Sequence, residues 1–429
     1  MNTRIRHLHA RQILDSRGRP TVEVDMELEG GARGRGVSPS GASTGKAEAH
    51  ELRDGDPLVY EGRGVLKAVS SVNGEIAAAL RGFDAADQRG LDGRLRGLDG
   101  HQSLGRLGAN AVLAVSLAAC RAAAQARQLP LYRLLAELSG TAQPTLPLPM
   151  VNILSGGLHA LGGMDVQDFL VLPLSATTFS QALHAVARVR TAAAVVMQGR
   201  GLSTLLADEG GLSPGLNSGQ EALELLTAAI LRAGFRPGPD IGIGLDVAAS
   251  TFKTEGGYHL AREGLHLDSA GLIEHLSAWV DAFPIVSLED GLDEEDWPGW
   301  KALSERLAGR LQLIGDDLFT TQPQRVQRGI AAGVANSVLV KLNQNGTLSG
   351  TLEVIALAKE AGYAPVVSAR SGETEDAFIA DLAVGTAAGQ IKIGSLRTSD
   401  RLSKYNQLLR LEEDGLPYAG AAALAERRG

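Results

Sequence analysis

The chain has 429 residues, of which 44% are hydrophobic and 21% charged, so it holds ample material for a large core and is not a disordered chain. Its net charge of −8 (41 Lys+Arg, 49 Asp+Glu) comes without any basic block, which excludes nucleic acid as an expected partner. A single cysteine, Cys120, excludes an internal disulfide and a Cys-rich metal site; residues 1–12 lack the apolar core of a signal peptide, and the longest apolar stretch, 109–120, is ended by Arg121, so a soluble cytoplasmic protein with no membrane partner is expected.

At about 150 residues per domain the length allows three domains, or two if one is a β/α barrel of about 250. The first third reads as strands followed by helices. Val22, Val24, Met26 and Leu28 alternate with Glu23, Asp25 and Glu27, a half-buried strand. Gly30 and Gly31 turn it toward a hairpin partner at 34–37. Helical patterns follow at about 63–81, 108–128 and 131–138. The Pro-rich stretch 139–149 marks a linker, which sets an N-terminal α+β domain at 1–138 and a second domain at 145–429.

The second domain alternates strands with helices. Strands near 150–154 and 168–172 precede a helix at about 178–199. Short apolar runs then recur at 241–245, 285–288, 311–314, 338–340, 364–367 and 390–391, separated by helical stretches at 269–283, 298–309, 323–333, 348–361 and 376–388. This is the pattern of parallel β/α units extending toward an eight-stranded α/β barrel. Trp297 and Trp300 fall on one such helix and read as packing residues.

A charged residue follows each of the last six strands in turn: Asp246, Glu289, Asp316, Lys341, Arg370 and Lys392. One such residue alone reads as a solvated strand end. Six in order converge on the face of a β/α barrel where active sites form. Three carboxylates with no Cys or His beside them make an all-oxygen donor set, which favours Mg²⁺. Two lysines and an arginine suit an anionic substrate. A lysine flanked by another lysine and a metal is expected to lose its proton readily and act as a base. The combination points to proton abstraction next to a carboxylate, a reaction in which metal charge stabilises the resulting anion.

The chain resembles the enolase family from end to end. The motifs that carry the resemblance are Asp15-Ser-Arg-Gly-Arg-Pro-Thr-Val-Glu-Val24, Pro39-Ser-Gly-Ala-Ser-Thr-Gly45, Gly156-Gly-Leu-His-Ala160, Asp208-Glu-Gly-Gly211, Gly315-Asp-Asp-Leu318, Lys341-Leu-Asn-Gln344, Ser371-Gly-Glu-Thr-Glu-Asp376 and Asn406-Gln-Leu-Leu-Arg-Leu-Glu412. The resemblance implies a capping α+β domain before a barrel with one irregular start. It implies that Asp246, Glu289 and Asp316 hold a structural Mg²⁺ and that Ser40 ligates a second, substrate-dependent one, while Asp317 supports its neighbour. It implies that Lys341 is the base, that Glu209 and the residue at Asp168 act on the leaving hydroxyl, and that Lys392, Gln167, Glu289, His159, Arg370 and Ser371 surround the substrate carboxylate and phosphate. A homodimer or larger oligomer, up to an octamer, is also implied.

Four departures stand against the family pattern. Its Ser-His-Arg-Ser-Gly-Glu-Thr is here Ser368-Ala-Arg-Ser-Gly-Glu-Thr374, so Ala369 replaces a histidine. Its Gln-Glu-Phe is Gln167-Asp-Phe169, so Asp168 is a shortened glutamate. Its Glu-Asp-Pro is Glu289-Asp-Gly291, and its Ile-Lys-Thr-Gly is Ile391-Lys-Ile-Gly394. Retained ligands and base beside an altered pocket suggest an enzyme retuned for a phosphorylated or phosphonylated carboxylate larger than phosphoglycerate. The enolase-like enzyme that fits this description is carboxyphosphonoenolpyruvate synthase, of phosphinate antibiotic biosynthesis. The alternatives are an ordinary glycolytic enolase and, third, a binding protein with little catalysis.

Overall fold

The computed structural model describes residues 2–41, 45–160 and 163–424. It opens with an antiparallel meander of β1 (Ile5–Leu14), β2 (Pro20–Leu28) and β3 (Arg33–Val37). Val22, Val24, Met26 and Leu28 of β2 are buried, and Glu23 and Asp25 on its other face pair with Arg11 and Arg35. The expected hairpin is therefore present. Strand β1 is not foreseen, because Arg6, His7 and a register shift between Ile5 and His7 break its alternation.

Helices α1 (Leu66–Ser71) and α2 (Ala77–Leu80) flank a π turn, Val72–Ile76, where one helix is expected. Asn73 within the turn explains it: its amide accepts the N–H of Ala10 at 2.7 Å and donates to the Ala10 carbonyl at 3.0 Å, docking the helix on β1. Helix α3 (Gln88–Asp99) is also unforeseen; Gly90, Gly93 and Gly97 lower its propensity, while Asp87 caps it by accepting from Gly90 N. Helices α4 (Ala109–Ala126) and α5 (Leu131–Ser139) lie within two residues of expectation. Close approach dictates the alanines of α4 and the Gly-x-Gly of β3. A Cβ at Gly34 would stand 2.1 Å from the Ala118 carbonyl oxygen, and one at Gly36 would stand 2.2 Å from that of Ala114. By length and hydropathy α4 is the one helix among the described residues that could cross a membrane, but 89% of it is buried inside this protein.

The second domain is a closed barrel. It begins with β4 (Leu148–Ser155), β5 (Asp168–Pro173), α6 (Phe179–Gly199), α7 (Gly219–Arg232) and β6 (Ile241–Asp246). A small meander of β7 (Lys253–Thr254), β8 (Gly257–Leu260) and β9 (Leu265–Leu267) interrupts it before α8 (Ser269–Ala282). Regular units follow: β10 (Ile285–Glu289), α9 (Trp297–Leu307), β11 (Gln312–Gly315), α10 (Pro323–Ala332), β12 (Ser337–Val340), the single turn α11 (Leu342–Asn345), α12 (Leu348–Glu360), β13 (Ala364–Ser368), α13 (Phe378–Gly385), β14 (Gln390–Gly394) and α14 (Ser399–Glu412). Strand β14 pairs with β4 to close the ring, and Leu148, Met150, Leu170, Leu172, Ile314, Leu339 and Val366 fill its interior. Trp297 and Trp300 are buried packing residues, as expected.

Strand β5 departs from the parallel pattern, running antiparallel to both β4 and β6. Among the described residues no crossover helix joins β4 to β5, so the pair closes as a hairpin, and two helices return the chain to β6. Helix α7 starts at a readable capping box, Ser218 with Glu221. The reversal has a consequence for the site: β5 begins where its parallel neighbours end, so Asp168 is paired in register with Asp246.

The two domains are fastened through Arg121 of α4. Its Nη2 donates to Asp376 Oδ1 at 2.9 Å, its Nη1 donates to the Arg35 carbonyl at 2.7 Å, and it stacks over Phe378 at 5.1 Å. Burial pushes the Asp376 carboxyl up, but Arg121 outweighs it and holds the group below its usual range. Arg121→Met would leave that carboxylate largely buried without its cation, keeping the Phe378 N–H at 2.7 Å. We expect a loss of about 2 kcal/mol in chemical unfolding at pH 7, shrinking as pH falls and Asp376 is protonated in both states.

Candidate active site

The parallel strands deliver the six charged residues to one end of the barrel. Asp246 closes β6 and lies beside Glu289 at the end of β10, in register. Lys392 on β14 is in register with Ser368, two residues before Arg370. Just beyond these strands the backbone turns sharply. Ala248, Asp290, Thr320 and Thr321 all have φ between 43° and 51°, a costly conformation for such residues that clusters where function requires it. Asp290 uses its turn to accept the N–H groups of Asp316 (2.9 Å) and Asp317 (2.8 Å), fixing the end of β11.

The ionic pairing is dense. Lys392 Nζ stands 2.7 Å from Asp246 Oδ2 and 2.7 and 2.8 Å from the two Glu289 oxygens. Lys341 Nζ donates to Asp316, whose other oxygen accepts from Gln344 Nε2 at 2.9 Å. Gln167 Nε2 reaches Asp246 at 3.2 Å. The Arg370 guanidinium donates to Glu48 at 2.9 Å and to Asn343 Oδ1 at 2.9 Å. Glu48, Asn343 and Gln344 carry no role in the sequence reading; Gln344 is signalled by its spacing, one helical turn after Lys341, while Glu48 meets the barrel only through the fold.

A cavity of about 30 Å³, room for a water or two, remains among Lys341, Lys392, Arg370, Glu209, His159 and Ala369. A wider surface groove, about 970 Å³ between α3 and α12, lies elsewhere, and its lining mixes Arg89, Arg96, Asp92, Glu353 and Glu360. Asp246, Asp316, Lys341, Arg370 and Lys392, from the ends of the barrel strands, line the small cavity instead. Ala369 lines it beside Arg370 and Ser371, so the departure from the family pattern falls on the reacting space.

His159 divides two carboxylates. Its Nδ1 donates to Asp168 Oδ2 at 2.8 Å, and its Nε2 lies 3.3 Å from Ser371 Oγ and 3.7 Å from Glu209 Oε1. Asp168 is fully buried, and its other oxygen accepts from Ser155 Oγ at 2.7 Å and from Asn152. The structure thus places Asp168 behind His159 rather than on the cavity. Ser40 likewise points away: its Oγ donates to Asp15 at 3.0 Å and accepts from Arg17 at 3.0 Å. The rest of its loop, residues 42–44, lies outside the described residues. The change at Gly291 has a packing reason, since a Cβ there would stand 2.6 Å from Leu288 Cδ2.

Burial lowers the Lys341 pKa, but Asp316 in direct contact raises it further, so the amine is held protonated. Lys392, which lowers it, is a smaller influence than the adjoining carboxylate. Any second cation drawing on Asp316 would relax that hold.

The donor set fits such a cation. Asp246, Glu289 and Asp316 offer only oxygens, the preference of Mg²⁺. Burial and the charge of Asp246 push the Glu289 carboxyl well up despite Lys392, so the cluster is short of positive charge. In this structure Asp246 and Glu289 meet on Lys392, while Asp316 converges with Asp290 and Asp317. His159, Asp168 and Glu209 form a second converging group.

Burial opposes charging His159, yet Asp168 and Glu209 outweigh it and hold the imidazole pKa at about 9, above the ordinary 6.5. We expect imidazole NMR to show His159 doubly protonated at pH 7.5, titrating near pH 9. Asp168→Asn should drop the transition by at least about two units, toward or below 6.5, as burial regains control. The raised value also stabilises the folded state at pH below 6.5, and that contribution is lost as pH rises through about 9.

Comparison with known families agrees with the geometry. Residues 5–135 match the model of the enolase N-terminal domain, and residues 143–426 match that of the enolase C-terminal TIM barrel domain. Together these cover nearly the whole chain, strain and charge both gather at the barrel's C-terminal face, and the chain belongs to the enolase family.

Proposed function

We propose that this enolase-superfamily enzyme abstracts the α-proton of a small 3-hydroxy carboxylate bearing a phosphoryl or phosphonyl ester, and that its substrate is bulkier at the ester end than 2-phosphoglycerate. The best-fitting product is carboxyphosphonoenolpyruvate. The observation that carries this reading is Ala369, whose methyl lines the cavity beside Arg370 and Ser371 where the family pattern has an imidazole. A methyl leaves space and removes a donor on the side where the ester would lie, room that a second carboxylate would occupy.

Asp246, Glu289 and Asp316 would hold Mg²⁺, with a second ion at the substrate. Bound there, Mg²⁺ supplies charge that acidifies the α-proton and steadies the dianion that follows. The chain's own groups do the rest. Lys341 Nζ takes the α-proton once Asp316 no longer holds the amine charged. Lys392 faces the substrate carboxylate, and Arg370 with Ser371 faces the ester anion. The β-carbon–oxygen bond then breaks, and the hydroxyl leaves as water with a proton from the His159–Glu209 pair. Glu209 alone is a poor donor: burial raises its pKa, but His159 and the nearby cations bring it below the ordinary value. His159, 3.7 Å away and charged, is the proton reservoir.

The second reading, ordinary enolase acting on 2-phosphoglycerate, is favoured by the intact set of Lys341, Glu209, Arg370 and Lys392 around the cavity.

The first of two experiments tests the base common to both readings, and the second separates them. Lys341→Ala should lower kcat by about 10²–10⁴ and suppress solvent-deuterium exchange at the substrate α-carbon; unchanged exchange would assign the base elsewhere. Ala369→His with Asp168→Glu should raise turnover of 2-phosphoglycerate by roughly 5–150-fold, from about 1–3 kcal/mol of restored interaction. The same pair should impair a carboxyphosphonate substrate by filling its space. Parent turnover of 2-phosphoglycerate at roughly 10 s⁻¹ or more, with no gain from Ala369→His, would establish the ordinary reading instead.

A further inference from the structure

We propose that His259 and His266, on the β8–β9 hairpin, form a two-imidazole chelating site for a borderline divalent transition ion such as Cu²⁺, Ni²⁺ or Zn²⁺. The strand register sets the two residues directly opposite each other. Their rings lie 4.0 Å apart between centroids with planes 11° from parallel. Tyr258 and Leu260 are buried beneath the hairpin, so by strand alternation the histidines take the other face, His266 exposed and His259 half-buried. Among the described residues neither ring makes a side-chain hydrogen bond or an ion pair, unlike His159 with Asp168 and His275 with Glu263. Both imidazoles keep a free lone pair.

Imidazole nitrogens suit Cu²⁺, Ni²⁺ and Zn²⁺, with metal–nitrogen bonds of about 2.0–2.1 Å, so two ligands on one ion sit about 3 Å apart. The stacked rings, 4.0 Å apart between centroids, point their in-plane lone pairs side by side, so chelation requires both rings to turn about their side-chain torsions until the nitrogens converge on one ion. Water completes the coordination. Mg²⁺ prefers oxygen and does not compete here, so the site is chemically separate from the carboxylates of the barrel mouth.

The turn between the two histidines is not free. Arg262 N donates to the Asp165 carboxylate at 3.0 and 3.3 Å, and Glu263 accepts from Gly219 N at 2.9 Å. Asp165 closes the segment that carries His159. A metal bridging His259 and His266 therefore staples a hairpin whose tip supports the His159 loop.

Copper binding to the full chain, in excess Mg²⁺, tests this by calorimetry with electron paramagnetic resonance. The parent protein should take up Cu²⁺ with nitrogen couplings from two imidazoles. His266→Ala and His259→Ala should each weaken binding by about tenfold or more, because linked donors gain from effective concentration, and should leave one coupled nitrogen. Both side chains lie on the outer face, and unchanged thermal melting would show that the variants fold. His7→Ala, which removes the wider His7–His9 pair at 6.5 Å, should change nothing. Absence of nitrogen-ligated copper in the parent overturns the proposal. So does an unaltered spectrum and affinity in His266→Ala, or a signal lost on His159→Gln instead.

Discussion

The barrel mouth is organised by an imbalance of buried charge. Glu48, Asp168, Glu209, Asp246, Glu289 and Asp316 converge there against Lys341, Arg370, Lys392 and His159. Buried carboxylates survive only when paired or metal-bound, because desolvation outweighs any single distant attraction. Each lysine is therefore drawn onto a carboxylate, and even then Glu289 is pushed well above its ordinary pKa. Asp246, Glu289 and Asp316 would give up the lysines to a divalent cation, whose charge would relieve the surplus.

Holding this arrangement requires rigid supports. The left-handed turns at Ala248, Asp290, Thr320 and Thr321 aim side chains that ordinary backbone would direct elsewhere. Asp290 ties two of these strand ends together by accepting two backbone N–H groups. Arg121 and Glu48, with the backbone of Ser16 and Ser40 bonded to Glu373 and Gly372, bring the first domain onto the barrel rim, so the cap is part of the charge network rather than a lid laid over it.

Much of this is legible in the sequence because barrel geometry turns order along the chain into convergence in space. A charged residue ending each apolar run places Asp246 through Lys392 on one face without any knowledge of contacts. The antiparallel course of β5 is not legible in its hydrophobic run, since a strand buried on both faces reads alike in either direction. Helix α3, rich in glycine, and the π turn at Asn73 depend on tertiary partners, Ser116 and Ala10 among them, that local propensity does not encode. Glu48 is invisible for the same reason: its partner Arg370 is 322 residues away.

Asp168 shows what the fold adds to a motif. In sequence it reads as a glutamate one methylene too short for the leaving hydroxyl. In the structure that shortening places the carboxylate at the Nδ1 of His159, with Ser155 and Asn152 occupying its second oxygen. The change is then coherent with Ala369. Removing the imidazole at 369 leaves His159 as the one imidazole lining the cavity among the described residues. Asp168 charges that imidazole and points its other nitrogen toward Ser371 and Glu209. Proton handling gathers on the His159 side, and the Ala369 side is left as space. On the proposed reading, two substitutions that separately look like erosion together divide one cavity into a wall that donates the proton and a wall that admits substrate bulk.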